Sequence, residues 1–335
     1  MDKKTVAVVM GGISMERDVS LSSGTGALAA LKEAGYNAYA IDIRDNPLEF
    51  IHQLSASPPD VIFNALHGTW GEDGCIQGIF EYLNIPYTHS GVLASSIAMN
   101  KVMSRSFFMQ SGIPVAPGAV ALWHEAQKPQ AFFPYPYVVK PINEGSSVGV
   151  YVVHDADTLP PRHAFADHQD VLIEQYIPGR EIQVTVVGDT RTHAVKAWGA
   201  IEICPKQGFY DYRAKYTPGY ADHLMPAPLP ETAYERALSL AARAHTALNC
   251  RGITRVDLRY DDTRLQAPDE MGDFYVLEIN TQPGLTPLSL VPETLAHYGW
   301  SYTQVVSWLV DNAALDSIDH NRYNFQNSNS ITCAK

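Results

Sequence analysis

A chain of 335 residues, 46% of them hydrophobic, is too long for one small core and fits two or three packed lobes at ~100 to 200 residues per domain. Its net charge of -12, with 24 Lys and Arg against 36 Asp and Glu and no basic run, argues against nucleic acid as a partner. Cys75, Cys204, Cys250 and Cys333 are far apart and form no C-x-x-C pair, which speaks against a zinc site or a disulfide framework and for a reducing cytoplasm. Thr5 to Met10 is too short for a signal-peptide core, and no stretch approaches the ~20 apolar residues of a membrane helix, so a cytoplasmic protein without a membrane partner is expected.

The first ninety residues alternate strand and helix signals. Thr5 to Met10 reads as a buried strand, Ser20 to Ala34 as a helix ending at Gly35, and Tyr36 to Ile43 as a second strand. A weaker helix, Pro47 to Leu54, precedes a strand, Val61 to Leu66, and a helix, Asp73 to Leu83. Strands joined by helical crossovers predict a doubly wound, mostly parallel sheet whose ligands gather at the carboxyl ends of the strands, where Gly11-Gly12 and His67-Gly68 fall.

A second block opens with a helical stretch, Ser95 to Ser111, and reaches strands Tyr137 to Lys140 and Val148 to Val152, which flank Gly145-Ser146-Ser147. From Val171 onward the strands lengthen, a helix spans about Thr232 to Leu248, and strands Ile253 to Tyr260 and Phe274 to Asn280 end in polar and charged residues. The expected division is 1–90, 91–173 and 174–315, with a polar tail over 316–335.

Arg255-Val-Asp257 and Glu278-Ile-Asn280 form the strongest constellation. Side chains two apart on a strand share a face, so each strand presents a pair of polar groups. If the strands are neighbours, two carboxylates, an amide oxygen and a guanidinium meet at one point. Hard oxygen ligands of this kind suit magnesium carrying nucleotide phosphates, and Arg255 could balance charge on a transferring phosphoryl group. Either strand alone could be a solvated strand end; the pattern on both favours function.

In Lys140-Pro-Ile-Asn-Glu-Gly145-Ser146-Ser147-Val-Gly149 the glycines allow backbone amides to approach phosphate and Lys140 adds charge, although a plain hairpin turn would look similar. Glu174, the main chain at Ile177 and Glu181 could meet an adenine amine, the ring and a ribose, or could belong to a charged linker. The aromatic stretch from Gly208 to Tyr216 suits a lid or a packed surface loop. Glu16 and His67 at strand ends could be ordinary structural residues.

In order along the chain these pieces resemble the D-alanine:D-alanine ligases of the ATP-grasp superfamily. The likeness runs from about Val6 to Leu315 and rests on G-G-I-S-M-E-R-D-V-S from Gly11, L-H-G-T-W-G-E-D-G from Leu66, K-P-I-N-E-G-S-S-V-G from Lys140, G-F-Y-D-Y-R-A-K-Y from Gly208 and L-E-I-N-T-Q-P-G-L-T from Leu277, followed by Ser289-Leu290. It implies a three-lobed α/β ATP-grasp architecture, two substrates (ATP and D-alanine), two magnesium ions replaceable by manganese, and a homodimer.

The resemblance places Lys101, Lys140, Ser147 and Lys215 on the phosphates, and Glu174, Ile177, Glu181, Phe209 and Leu277 around the nucleotide. It makes Asp257, Glu278 and Asn280 the metal ligands. Glu16, with His67, would hold the first D-alanine, and Ser289, Leu290 and Lys215 the second. Glu16, Ser146 and Tyr216 would tie lobe, loop and lid together, while Arg255 and the Gly284 amide would stabilise developing negative charge.

Two departures concern Arg259, where an apolar residue is expected near adenine, and Pro287-Leu288 before the serine. Tyr216 is the dipeptide-type residue of the family. The competing readings are a D-alanine:D-lactate ligase on the same scaffold and a non-catalytic nucleotide-binding regulator; the survival of Arg255, Asp257, Glu278 and Asn280 disfavours the latter.

Overall fold

A computed structural model describes residues 3–44, 47–128, 132–145, 148–206, 219–265, 271–286 and 289–316. The first sheet takes β1 (Thr5–Gly11), β2 (Asn37–Ile43) and β3 (Val61–Asn64) in the parallel order β2-β1-β3. Helices α1 (Arg17–Glu33) and α2 (Pro47–Ala56) form the crossovers, and α3 (Cys75–Tyr82) follows β3. Alternation along β1 explains the two-sided wrapping: Val6, Val8 and Met10 join the core of Ala27, Ala30 and Leu31 from α1, while Ala7 and Val9 join Phe50, Leu54 and Phe80 from α2 and α3.

The stretch expected as one helix from Ser95 is two, α4 (Val92–Met99) and α5 (Lys101–Gln110). Asn100 breaks it by leaving helical geometry, at φ -88° and ψ 102°, and its side-chain oxygen accepts from the backbone amides of Val102 (3.1 Å) and Met103 (3.0 Å). An asparagine cap of this kind stabilises a helix start by ~1 kcal/mol. It also puts Lys101 at the first helical position, where its amide donates to the Ile142 carbonyl at 3.0 Å.

The middle sheet is antiparallel, ordered β4 (Gly118–Leu122), β7 (Asp170–Gln175), β5 (Tyr137–Pro141), β6 (Tyr151–Val153). A four-residue helix, α6 (Trp123–Ala126), follows β4. Strand β6 starts later than the hydrophobic run suggests because Val148 closes a turn on the Gly145 carbonyl and Gly149 takes φ +69°.

The third sheet is also antiparallel and runs β10 (Ala221–Leu224), β9 (Val195–Pro205), β8 (Arg180–Gly188), β11 (Gly252–Asp261), β12 (Asp273–Asn280). Helix α7 (Glu231–Ala247) lays Ala233, Ala237, Leu240, Ala241 and Ala244 on Val184, Val186 and Val256. The small alanine ridge lets helix and sheet approach closely. The chain then returns through α8 (Leu290–His297) and α9 (Tyr302–Asp311). Val305, Val306, Leu309 and Val310 of α9 pack with Val6, Val8 and Ala27, and each fully buried side chain contributes about 2 kcal/mol. The first sheet is thereby covered partly by the last helix of the chain, and Ala314 forms a bridge with Tyr87 beside Ile62.

Candidate active site

The register of β11 against β12 sets the centre of the site. Arg255 lies opposite Asn280 and Asp257 opposite Glu278, so the four groups stand on one face of adjacent strands. A register shift follows Asp257/Glu278: the next pair is Leu258 with Val276, which leaves Leu277 as a bulge. Core residues Val256, Ile279, Leu258 and Val276 are continuous across that bulge, so Leu277 is turned to the side that carries Glu278. Strand alternation alone would have put Leu277 on the opposite face.

Charge is balanced locally. Arg255 Nε and Nη2 donate to the two oxygens of Asp257 at 2.8 and 3.0 Å, a bidentate pair between side chains 16% and 7% exposed. Lys101, buried at the start of α5, brings its ammonium to 3.7 Å from Glu278 Oε2 and donates to the Glu144 carbonyl. Helix α5, the loop after β5 and strand β12 thus converge on one point.

Across the cleft stand three residues of the first lobe. Glu16 precedes α1 and is buried, as are His67 and Glu72. A Cβ on Gly68 would lie 2.8 Å from Glu16 Oε2, and one on Gly145 would lie 3.5 Å from it and 3.9 Å from Glu72 Oε1. Both carboxyl groups therefore sit against the start of the Gly/Ser loop, and Gly68, at φ +70°, has both a backbone and a steric reason to lack a side chain.

Burial, together with the charge of Arg255, lowers the His67 pKa to about 4; the imidazole is neutral at physiological pH and sits 3.2 Å from Ser23 Oγ. Glu72 is driven the other way. Burial first, then the neighbouring Glu16 and Glu278, raise its pKa well above the ordinary value, against the opposing pull of the Gly68 amide at 2.8 Å and Arg255. Its second oxygen, Oε2, is buried with no hydrogen-bond partner among the described residues.

The predicted nucleotide residues split into two groups. Lys140 and Glu174 form an ion pair across β5 and β7, and Arg105 holds the other Glu174 oxygen while donating to the Ala116 carbonyl. Ile177 and Glu181 flank the connection into β8, where Arg259 donates to the carbonyls of Ile177 (3.1 Å) and Gly179 (2.8 Å) and lies 4.0 Å from Glu181. Arg259, out of place by the family pattern, therefore braces the strap between two lobes. Lys101, Glu278, Asn280 and Arg255 line one cavity with Glu16, His67, Glu72, Gly284, Ser289 and Leu290.

At the far end Ser289 Oγ accepts from the Thr286 amide at 3.0 Å and lies 2.9 Å from the Thr286 hydroxyl. A Cβ on Gly284 would come within 2.9 Å of that Ser289 oxygen, so the glycine allows backbone and hydroxyl to share one corner. Ser146, Ser147, Phe209, Lys215, Tyr216 and the pair Pro287-Leu288 lie outside the described residues.

Two family models match: "D-ala D-ala ligase N-terminus" over residues 46–90 and "D-ala D-ala ligase C-terminus" over 107–311. A D-alanine--D-alanine ligase of Paramagnetospirillum magneticum is 49% identical over 313 residues, 93% of this chain and 99% of the relative. The chain belongs to the D-alanine:D-alanine ligase family. A Cereibacter sphaeroides relative of the same name is 48% identical over 92% of this chain and 95% of its own length. Among solved structures, the Bacillus anthracis D-alanine--D-alanine ligase superposes with TM-score 0.76 at 32% identity, covering 92% of this chain and 97% of that one. An Enterococcus faecalis D-Ala:D-Ser ligase gives 0.75 at 27% identity, with 92% and 99% covered. The three sheets described above are the ATP-grasp architecture of this ligase family.

Among the described residues no three His, Cys, Asp or Glu side chains gather into a self-contained metal cage. The donor set of this ligase-family chain nevertheless fits magnesium: two carboxylates and an amide oxygen on facing strand positions leave coordination positions for phosphate oxygens and water. Sequence reasoning missed three residues. Glu72 was inside a quoted motif, five residues after His67. Arg105 sits four residues after Lys101 and shares its helix face. Gln183, two after Glu181 and opposite Asp257, lines the cavity with a buried Oε1 that has no hydrogen-bond partner among the described residues.

Proposed function

We propose that this chain joins two D-alanines into D-alanyl-D-alanine, a peptidoglycan precursor, at the expense of ATP and through an acyl phosphate. The observation that carries the reading is the β11/β12 register, which brings Arg255, Asp257, Glu278 and Asn280 to one face beside Lys101 and opposite Glu16, His67 and Glu72. Phosphate-side chemistry and a substrate pocket then share one cavity.

A carboxylate is a poor electrophile, so a carboxyl oxygen of the first D-alanine attacks the γ-phosphorus and the bond from that phosphorus to the ADP oxygen breaks. The amine of the second D-alanine, having lost a proton, attacks the acyl carbon; phosphate leaves and the amide remains. Glu16 holds the first ammonium, with neutral His67 beside it. Entry of that cation lowers the raised Glu72 pKa, since an opposite charge favours a carboxylate. Asp257, Glu278 and Asn280 would hold magnesium, which would supply charge neutralisation on the phosphates. Lys101 and Lys140, with Ser147 and Lys215, bind phosphate oxygens, and Arg255 and the Gly284 amide stabilise negative charge on the transferred group and the tetrahedral oxygen. Glu174, Ile177, Glu181, Phe209 and Leu277 surround the nucleoside. Ser289 and Leu290 receive the second carboxylate, while Ser146 and Tyr216 join Glu16 in closing the site to water.

The proposed division is 1–90, 91–173 and 174–315, with Glu174 and Gln175 completing β7 of the middle sheet. No described helix is long and apolar enough to cross a membrane. A cytoplasmic homodimer is the working assembly proposed for such an enzyme.

The test is release of ADP and phosphate with MgATP against D- and L-alanine, D-serine and D-lactate. D-alanine alone is expected to support full turnover. Turnover with D-serine or D-lactate as second substrate and none with D-alanine pairs would refute the substrate assignment.

A further inference from the structure

Just after β12 the chain buries a glutamine whose side chain reaches into another lobe. Gln282 is 2% exposed. Its backbone amide donates to Asn280 Oδ1 at 2.9 Å. Its side-chain oxygen accepts from Asn64 Nδ2 at 2.7 Å, and its side-chain nitrogen donates to the Leu66 carbonyl. Asn64 ends β3 and is fully buried; the same Nδ2 also donates to the Gly71 carbonyl at 3.0 Å, where Gln77 Nε2 makes a second contact at 2.9 Å. Leu66 immediately precedes His67, and Gly71 immediately precedes Glu72.

From these bonds we infer that Gln282 is a positioning residue that fixes the first-substrate loop, 66–72, relative to the metal-binding end of β12. The inference rests on the ligase reading given above. Two lobes supply the two reacting partners: the phosphoryl donor is held from the side of Asn280 and Glu278, the acceptor carboxylate from the side of Glu16, His67 and Glu72. Direct side-chain bonds between a carbonyl next to His67 and the residue after Thr281 set the distance across which the phosphoryl group moves. Each lobe keeps its own binding groups when the link is cut, so binding persists while alignment is lost. A displacement of ~1 Å in such a geometry costs on the order of a hundredfold in rate.

A buried amide could equally be a stabilising clasp, and kinetics separates the two roles. Gln282→Met keeps the length and apolar volume and deletes both side-chain bonds. Gln282→Glu keeps an acceptor for Asn64 but faces the Leu66 carbonyl with an oxygen. Steady-state ADP formation is measured for each, with the D-amino acid that the wild-type chain turns over, beside the melting temperature. The expected result is kcat reduced ~10- to 100-fold with KM for MgATP and for the amino acid within about twofold. Wild-type kcat in either folded variant overturns the inference. So does a parallel rise of both KM values, or failure of both variants to fold, which would make Gln282 a stability residue only. Lack of wild-type turnover with D-alanine, by contrast, sinks the substrate assignment and leaves the Gln282 comparison to be made on whichever acid reacts.

Discussion

The two walls of the cavity handle their charges by opposite means. On the β11/β12 wall acids are met by bases: Asp257 by Arg255 in a bidentate pair, Glu278 by Lys101 at 3.7 Å. On the first-lobe wall burial shifts two groups against their charged forms, His67 lowered to about 4 and Glu72 raised. Paired charges can be exchanged for the charges of a metal and a triphosphate without leaving a bare ion in the protein interior. Groups shifted in this way cost less to keep dry in their neutral forms.

Three substitutions break or sharpen that contrast. The largest effect is expected from Glu278→Gln, which removes half of the acidic pair and leaves Lys101 without that carboxylate. Turnover should fall about a thousandfold, with a higher magnesium concentration needed for half-maximal rate; ADP release across a magnesium titration checks it. An unchanged magnesium requirement would place the ion elsewhere.

Arg255→Ala strips Asp257 of its partner. Loss of one member of a well-buried pair costs about 3 kcal/mol, so the melting temperature of the ligand-free protein should drop by several degrees and be partly restored by MgATP. A variant as stable as the wild type would mean the pair contributes nothing to the fold.

Glu72→Gln addresses the other wall and should be the gentlest. A carboxyl whose pKa is raised on folding binds more protons in the native state than in the unfolded state, so its contribution to stability is full below the unfolded pKa and is lost as pH rises through the folded value. Removing the titration should make the variant match the wild type in acid and exceed it in melting temperature at neutral pH and above. A wild-type melting curve against pH that the substitution leaves unaltered would show Glu72 to ionise as an ordinary glutamate.

Local sequence made much of this legible. A continuous apolar run marked β1, and glycines marked the turns after β1 and β3. The spacing Arg255 to Asp257 and Glu278 to Asn280 announced shared faces. What it could not report was anything requiring a second segment to be in place. Glu72 carried no signal of its own in the motif that contains it; burial beside Glu16 sets it apart. Arg105 gains its meaning only from Glu174, which the fold brings to it. Asn100 could cap a helix only where the chain bends to let Lys101 reach Ile142 and Glu144.

By itself, then, the sequence determined the order of elements, the family likeness and the face each strand residue would take in an unbroken ladder, because those depend on neighbours a few positions away. Tertiary structure alone decided the bulge that turns Leu277 to the side of Glu278, the meeting of Lys101 with Glu278, the burial of Glu72 and the reach of Gln282 to Asn64. Register, desolvation and inter-lobe hydrogen bonds are properties of segments far apart in the chain, fixed only when the whole core packs.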